Sequence, residues 1–156
     1  MWRLTLKYLL LSTILMLMSL EAFGHCQLPC GIYDDHTQVA LLLEDAATID
    51  KATTLIAQLA GKSDPQSANQ LIRWVNNKGQ HAQNIIDIIT NYFLTQRVSP
   101  NQKDYLVRLE KHHAVILAAV KVKQQAGGKY AAELIAAIMQ IAPYYPEHTE
   151  SHPHAH

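Results

Sequence analysis

The residues with the most chemical potential stand together in the run AFGHCQLPCGIY, residues 22–33, which holds both cysteines of the chain, Cys26 and Cys30, with His25 directly before the first. If the chain is cut ahead of His25, that residue gains a free α-amine beside its imidazole. Cys26 then adds a thiolate and a backbone amide able to lose its proton, and Cys30 adds a second thiolate after Gln27-Leu28-Pro29. A planar set of nitrogens and sulfurs suits Ni(II) or Cu(II). Structural zinc prefers a tetrahedral set and usually a second ligand pair, and calcium and magnesium want oxygens. Anionic thiolate and amidate donors lower a metal's potential, and an axial imidazole favours its higher oxidation state, so such a site can give and take one electron. The plain alternative is a Cys26–Cys30 disulfide in an oxidising compartment.

The cut is predicted by what precedes it. Arg3 and Lys7 form a positive start, Leu9 to Leu20 is a nearly unbroken apolar run, and Ala22 and Gly24 are small residues at the positions a signal peptidase reads. This is the pattern of a secretory signal peptide over residues 1–24, cleaved between Gly24 and His25. The apolar run is short for a transmembrane helix, although an uncleaved anchor is the competing reading. The expectation is a periplasmic or extracellular protein with no membrane attachment once the leader is gone.

The whole chain has 156 residues with 13 basic and 13 acidic side chains. Removing the leader takes away Arg3, Lys7 and Glu21, which leaves 132 residues carrying 11 basic and 12 acidic groups. That length suits one domain with one core, and the balance implies no nucleic-acid face.

Four helices must carry the thiol-bearing segment. Apolar residues recur at helical spacing through Val39, Leu42, Leu43, Ala46, Ile49, Ile56 and Leu59, with Asp34 or Asp35 as N-cap and Gly61 as the stop. Ser63 or Asp64 with Pro65 opens a second helix, whose Leu71, Trp74, Val75, Ala82, Ile85, Ile86, Ile89 and Phe93 are expected to face a core and which ends near Arg97. Ser99-Pro100 signals a third, with Tyr105, Leu106, Leu109, Ile116, Leu117 and Val120 inward, stopping at Gly127-Gly128. A shorter fourth carries Tyr130, Leu134, Ile135, Ile138 and Met139 up to Pro143. No segment alternates as a strand does. The fold class expected is all-α, an up-and-down four-helix bundle over residues 34–146, preceded by an N-terminal metal-binding hook. The final stretch, residues 147–156, is polar and histidine-rich, a composition that forms no packed core.

The run His25-Cys26-Gln27-Leu28-Pro29-Cys30-Gly31-Ile32-Tyr33 resembles the nickel hook of nickel superoxide dismutase, whose pattern is His-Cys-x-x-Pro-Cys-Gly-x-Tyr directly after a processed leader. The resemblance implies a nickel hook over residues 25–33 with one nickel ion per subunit, superoxide as substrate, and disproportionation to dioxygen and hydrogen peroxide by Ni(II)/Ni(III) cycling. It implies a homohexamer of four-helix subunits. His25 would supply amine and axial imidazole, Cys26 amide and thiolate, and Cys30 the second thiolate. Pro29 and Gly31 would shape the hook, and Tyr33 would stand over the open face as the catalytic residue.

In that family a glutamate of the first helix and an arginine hold the axial imidazole. Here Glu44 or Asp45 is the available acid, no arginine stands at an obvious place, and Lys78 or Arg73 on the second helix is the substitute cation. Gln27 is neutral where some relatives carry an acid. Glu110 and His113 make one Glu-x-x-His pair, but a carboxylate-bridged di-iron bundle needs a second. His36, His81, His112 and His113 are expected at the surface or an interface. His148, His152, His154 and His156 could bind nickel or copper loosely. The rival to an enzyme is a non-enzymatic periplasmic nickel/copper-binding helical protein, which leaves Tyr33 without a role.

Overall fold

A computed structural model describes residues 34–147; the leader, the hook through Tyr33 and the segment from His148 onward lie outside the described residues. Helix α1 spans Asp35–Leu59 and α2 spans Pro65–Ile88, the latter continuing without a break as a π-helix over Ile89–Arg97. Helix α3 spans Tyr105–Gln124, α4 spans Gly128–Ile141, and one 3₁₀ turn, Ala142–Tyr144, follows. Each helix packs on two neighbours, α1 and α3 both lying between α2 and α4, which is the four-helix bundle expected.

Local chemistry explains most boundaries. The Asp34 carboxylate accepts the His36 N–H at 2.9 Å, and the Asp64 carboxylate accepts the Ser67 N–H at 2.9 Å with Pro65 opening α2. Helix α1 stops where Gly61 takes a φ of 84°, a left-handed conformation that glycine adopts without a Cβ penalty.

One boundary differs from expectation. Helix α3 begins at Tyr105 instead of Pro100. The Gln102 side chain accepts from Ser99 N–H at 2.9 Å and donates to the Arg97 carbonyl at 3.0 Å, so the intervening residues form turns. Asp104 stands at the N-cap position, but its carboxylate is taken by Arg108 at 2.9 Å.

The core is built from Val39, Leu42 and Ile49 of α1, Ile85, Ile89 and Phe93 of α2 and its π extension, Val115 and Val122 of α3, and Leu134, Ile138 and Ile141 of α4. Helix α3 is rotated from the predicted face: His112, Val115, Ala119 and Val122 point inward, while Leu106 is 73 % and Leu117 56 % exposed. Its apolar residues surround the helix, so periodicity alone selects no face. Met139 of α4 is likewise exposed. The start of α2 departs too, with Trp74 only half-buried and Val75 exposed. Helix α3 ends opposite Lys78, so the first turns of α2 project past it and have no α3 surface to cover them.

Candidate metal centre

The hook residues His25, Cys26, Pro29, Cys30, Gly31 and Tyr33 lie outside the described residues, but the bundle end from which they continue is built in detail. The antiparallel run of α1 and α2 brings the π-helix level with the first turn of α1. There the Asp35 carboxylate receives the Arg97 Nε–H at 2.5 Å and the Tyr92 hydroxyl, and Arg97 Nη2 donates to that hydroxyl oxygen at 2.9 Å. Burial, reinforced by the adjacent Asp35 carboxylate and opposed by Arg97, pushes the Tyr92 hydroxyl up to about 12, so it stays a proton donor at neutral pH.

One residue after Asp35, the His36 Nδ1–H donates to the Tyr145 carbonyl at 3.3 Å. Tyr145 is itself anchored: its hydroxyl meets His112 Nε2 at 2.9 Å, and its ring lies 4.5 Å from that of Phe93, centroid to centroid. His112 Nδ1 faces the Arg108 carbonyl at 2.7 Å; a carbonyl can only accept, so Nδ1 carries the proton and Nε2 accepts from Tyr145. His112 is fully buried, which corrects its expected surface position. Both ring nitrogens are satisfied, so burying them carries little penalty. His36 and His81 are partly buried and hydrogen-bonded, while His113 is exposed as expected.

Burial also lowers the His112 pKa below its ordinary 6.5. The unfolded chain then binds the proton more readily than the folded one, so stability is full above the unfolded pKa and is lost as pH falls towards the folded value. We expect urea unfolding midpoints to fall between pH 7.5 and pH 5.5, and the fall to be smaller in His112→Gln. An equal fall in both proteins would remove His112 as its source.

The predicted supporting residues are placed as follows. Asp45 lies about 16 Å along α1 from Asp34 at 1.5 Å per residue, and its Oδ1 meets His81 Nδ1 at 2.5 Å. Glu44 is exposed on the rim of the same α1–α2 groove, with Leu41, Asn84 and Asp87. Lys78 is buried, and its Nζ donates to the Val122 and Gln125 carbonyls at 2.9 Å and 2.6 Å, capping the end of α3. That end is opposite the one where the chain enters at Asp34. Arg73 is exposed beside Trp74. Arg108, over the Tyr144 ring, and Arg97, on Asp35, both stand at the Asp34 end, and sequence reasoning passed over Arg97 as a partner for the start of α1. The signal for it is antiparallel pairing: the last residue of the second helical run must stand level with the first turn of α1.

Among the described residues no three His, Cys, Asp or Glu side chains are grouped to hold a metal ion, and Glu110 and His113 are both exposed on α3. The nitrogen and thiolate donors of His25, Cys26 and Cys30 have the chemistry nickel requires. The family model for nickel-containing superoxide dismutase matches residues 20–149, from before the hook through all four helices. The chain belongs to this family. It is therefore a superoxide dismutase, an oxidoreductase with a nickel cofactor acting on superoxide. No curated protein and no solved structure matches the chain. Within this nickel superoxide dismutase, no helix among the described residues is long and apolar enough to cross a membrane.

Proposed function

We propose that the mature chain begins at His25 and that residues 25–33 hold one nickel ion per subunit through the His25 amine and imidazole, the Cys26 amide and thiolate, and the Cys30 thiolate. Bound nickel supplies one-electron chemistry, alternating between divalent and trivalent states as one superoxide is oxidised to dioxygen and a second, with two protons, is reduced to hydrogen peroxide. The two thiolates, the amidate and the His25 nitrogens would hold the ion, and their anionic charge would bring its higher oxidation state within reach. Pro29 and Gly31 turn the segment back on itself, and Tyr33 limits access to small anions and helps relay protons from solvent. The one observation that carries this reading is the His-Cys-x-x-Pro-Cys-Gly-x-Tyr run beginning at a predicted cleavage point, within a family match that includes it.

Two further parts of the proposal concern setting. The leader directs the chain out of the cytoplasm, to the periplasm or beyond, and its removal between Gly24 and His25 creates the amine ligand. The subunits assemble as a homohexamer; exposed apolar side chains on α2 and α3, Ile72, Val75, Leu106 and Leu117 among them, support association.

Purification of the exported protein, N-terminal sequencing, metal analysis and assay of superoxide removal test these points together. The expected result is His25 as first residue, about one nickel per chain, and activity lost on nickel removal. Residues retained ahead of His25 in an active, nickel-loaded protein would refute the amine ligand.

A further inference from the structure

Helix α3 gives its inward face to the subunit's own core through His112, Val115, Ala119 and Val122, yet its outer face is apolar as well. Leu106, Leu109 and Leu117 are exposed there, and the exposed Glu110 and His113 stand among them. At 3.6 residues per turn, Leu106, Glu110, His113 and Leu117 fall within about 60° of one another around the axis, roughly opposite the buried face. Neither Glu110 nor His113 takes part in an ion pair among the described residues. A helix that is apolar on every side is expected to be buried on every side. Within the subunit α3 packs on α2, its π extension and α4, which leaves the outer row to solvent.

The spacing of the row indicates what covers it. Its intervals of four, three and four residues read the same in both directions and match the seam of a helix pair. Consider a second α3 laid antiparallel along the row, about a two-fold axis level with the midpoint between Lys111 and His112. Leu106 then meets Leu117 of the second copy and Glu110 meets its His113, and symmetry repeats both contacts. A parallel pair would instead set carboxylate against carboxylate and imidazole against imidazole, so charge selects the antiparallel arrangement. The imidazole donates an N–H to the carboxylate whether it is charged or neutral. A slip of one turn would leave each Glu110 facing a leucine. The leucines therefore supply apolar burial, while the Glu110–His113 pairs fix register and direction.

We propose that the outer row of α3, Leu106, Glu110, His113 and Leu117, is a two-fold contact between copies of this chain. The inference rests on the self-association proposed above and assigns it a surface and an orientation. It also gives a role to the Glu110-x-x-His113 pair, which has no part in the reaction and lacks the second pair that a di-iron site would need.

The test measures the mass of the processed full chain by sedimentation, with far-ultraviolet circular dichroism to establish that each variant folds. All of the changed side chains are exposed, so the subunit fold should persist. Glu110→Lys sets cation against imidazole and His113→Glu sets carboxylate against carboxylate, each twice per contact. Each alone is expected to reduce the assembled mass to half or less. Mixing the two should restore it, because each copy then offers an opposite charge to the other. The double variant Glu110→Lys/His113→Glu should also reassemble by itself, which only the antiparallel register allows. An assembled parent whose mass survives both single substitutions would overturn this face and leave self-association standing through another. Failure of the double variant to reassemble would overturn the antiparallel register. If the parent chain is itself a monomer, the self-association reading has failed and this contact falls with it.

Discussion

Serine at position 26 or 30 is expected to abolish superoxide removal while leaving the bundle folded. Each substitution replaces a thiolate with a hydroxyl that remains protonated at neutral pH and binds nickel poorly, so the donor set proposed above would lose a member. Loss of a mere outer partner of a metal ligand costs about 10–100-fold, so loss of a ligand itself should exceed a thousandfold, at the floor of the assay. Among the described residues the core runs from Val39 to Tyr145, so circular dichroism and the thermal midpoint of the metal-free variant should match those of the metal-free parent. Retaining Gly24 ahead of His25 should have a similar effect on activity, since it converts the amine donor to a peptide nitrogen. Substantial activity in Cys30→Ser would move the metal away from the hook.

The second large effect is on stability. Phe93 is fully buried and touches the rings of Tyr92, His112 and Tyr145 at centroid distances of 5.1, 5.6 and 4.5 Å. Phe93→Ala removes that packing and leaves a cavity, a change that costs about 3–5 kcal/mol and should lower the melting temperature by roughly 10–20 °C for a domain of this size. Because Tyr145 then loses its support, the contact between its carbonyl and His36 should loosen as well, and amide exchange at the start of α1 should quicken before global unfolding. A loss below about 1 kcal/mol, the range for sites away from the core, would mean that the ring cluster does not anchor this end.

Phe93 occupies its place because the helix widens before it ends. From Ile89 to Arg97 the turns are π-helical, with Val98 N–H reaching the Phe93 carbonyl at 3.0 Å and the Thr95 hydroxyl reaching the Thr90 carbonyl at 2.6 Å. A widened turn shifts every later side chain around the axis. The sequence shows an ordinary apolar run through this region, since π and α turns draw on the same residues.

The sequence by itself determined the helical class, the number of helices, their order and most of their ends, because capping side chains, proline and glycine act on neighbouring backbone only. It also carried the motif on which the proposed hook rests, His25 to Tyr33, because those residues are consecutive or nearly so in the chain. Only the tertiary structure decided which face of α3 turned inward, because that helix is apolar on all sides and the choice rests on His112 meeting Tyr145, 33 residues away. The same holds for Asp35 with Arg97, Asp45 with His81, and Lys78 with the end of α3. Each is a pairing across antiparallel helices, set by the packing of whole elements, and neither partner's own neighbours announce it.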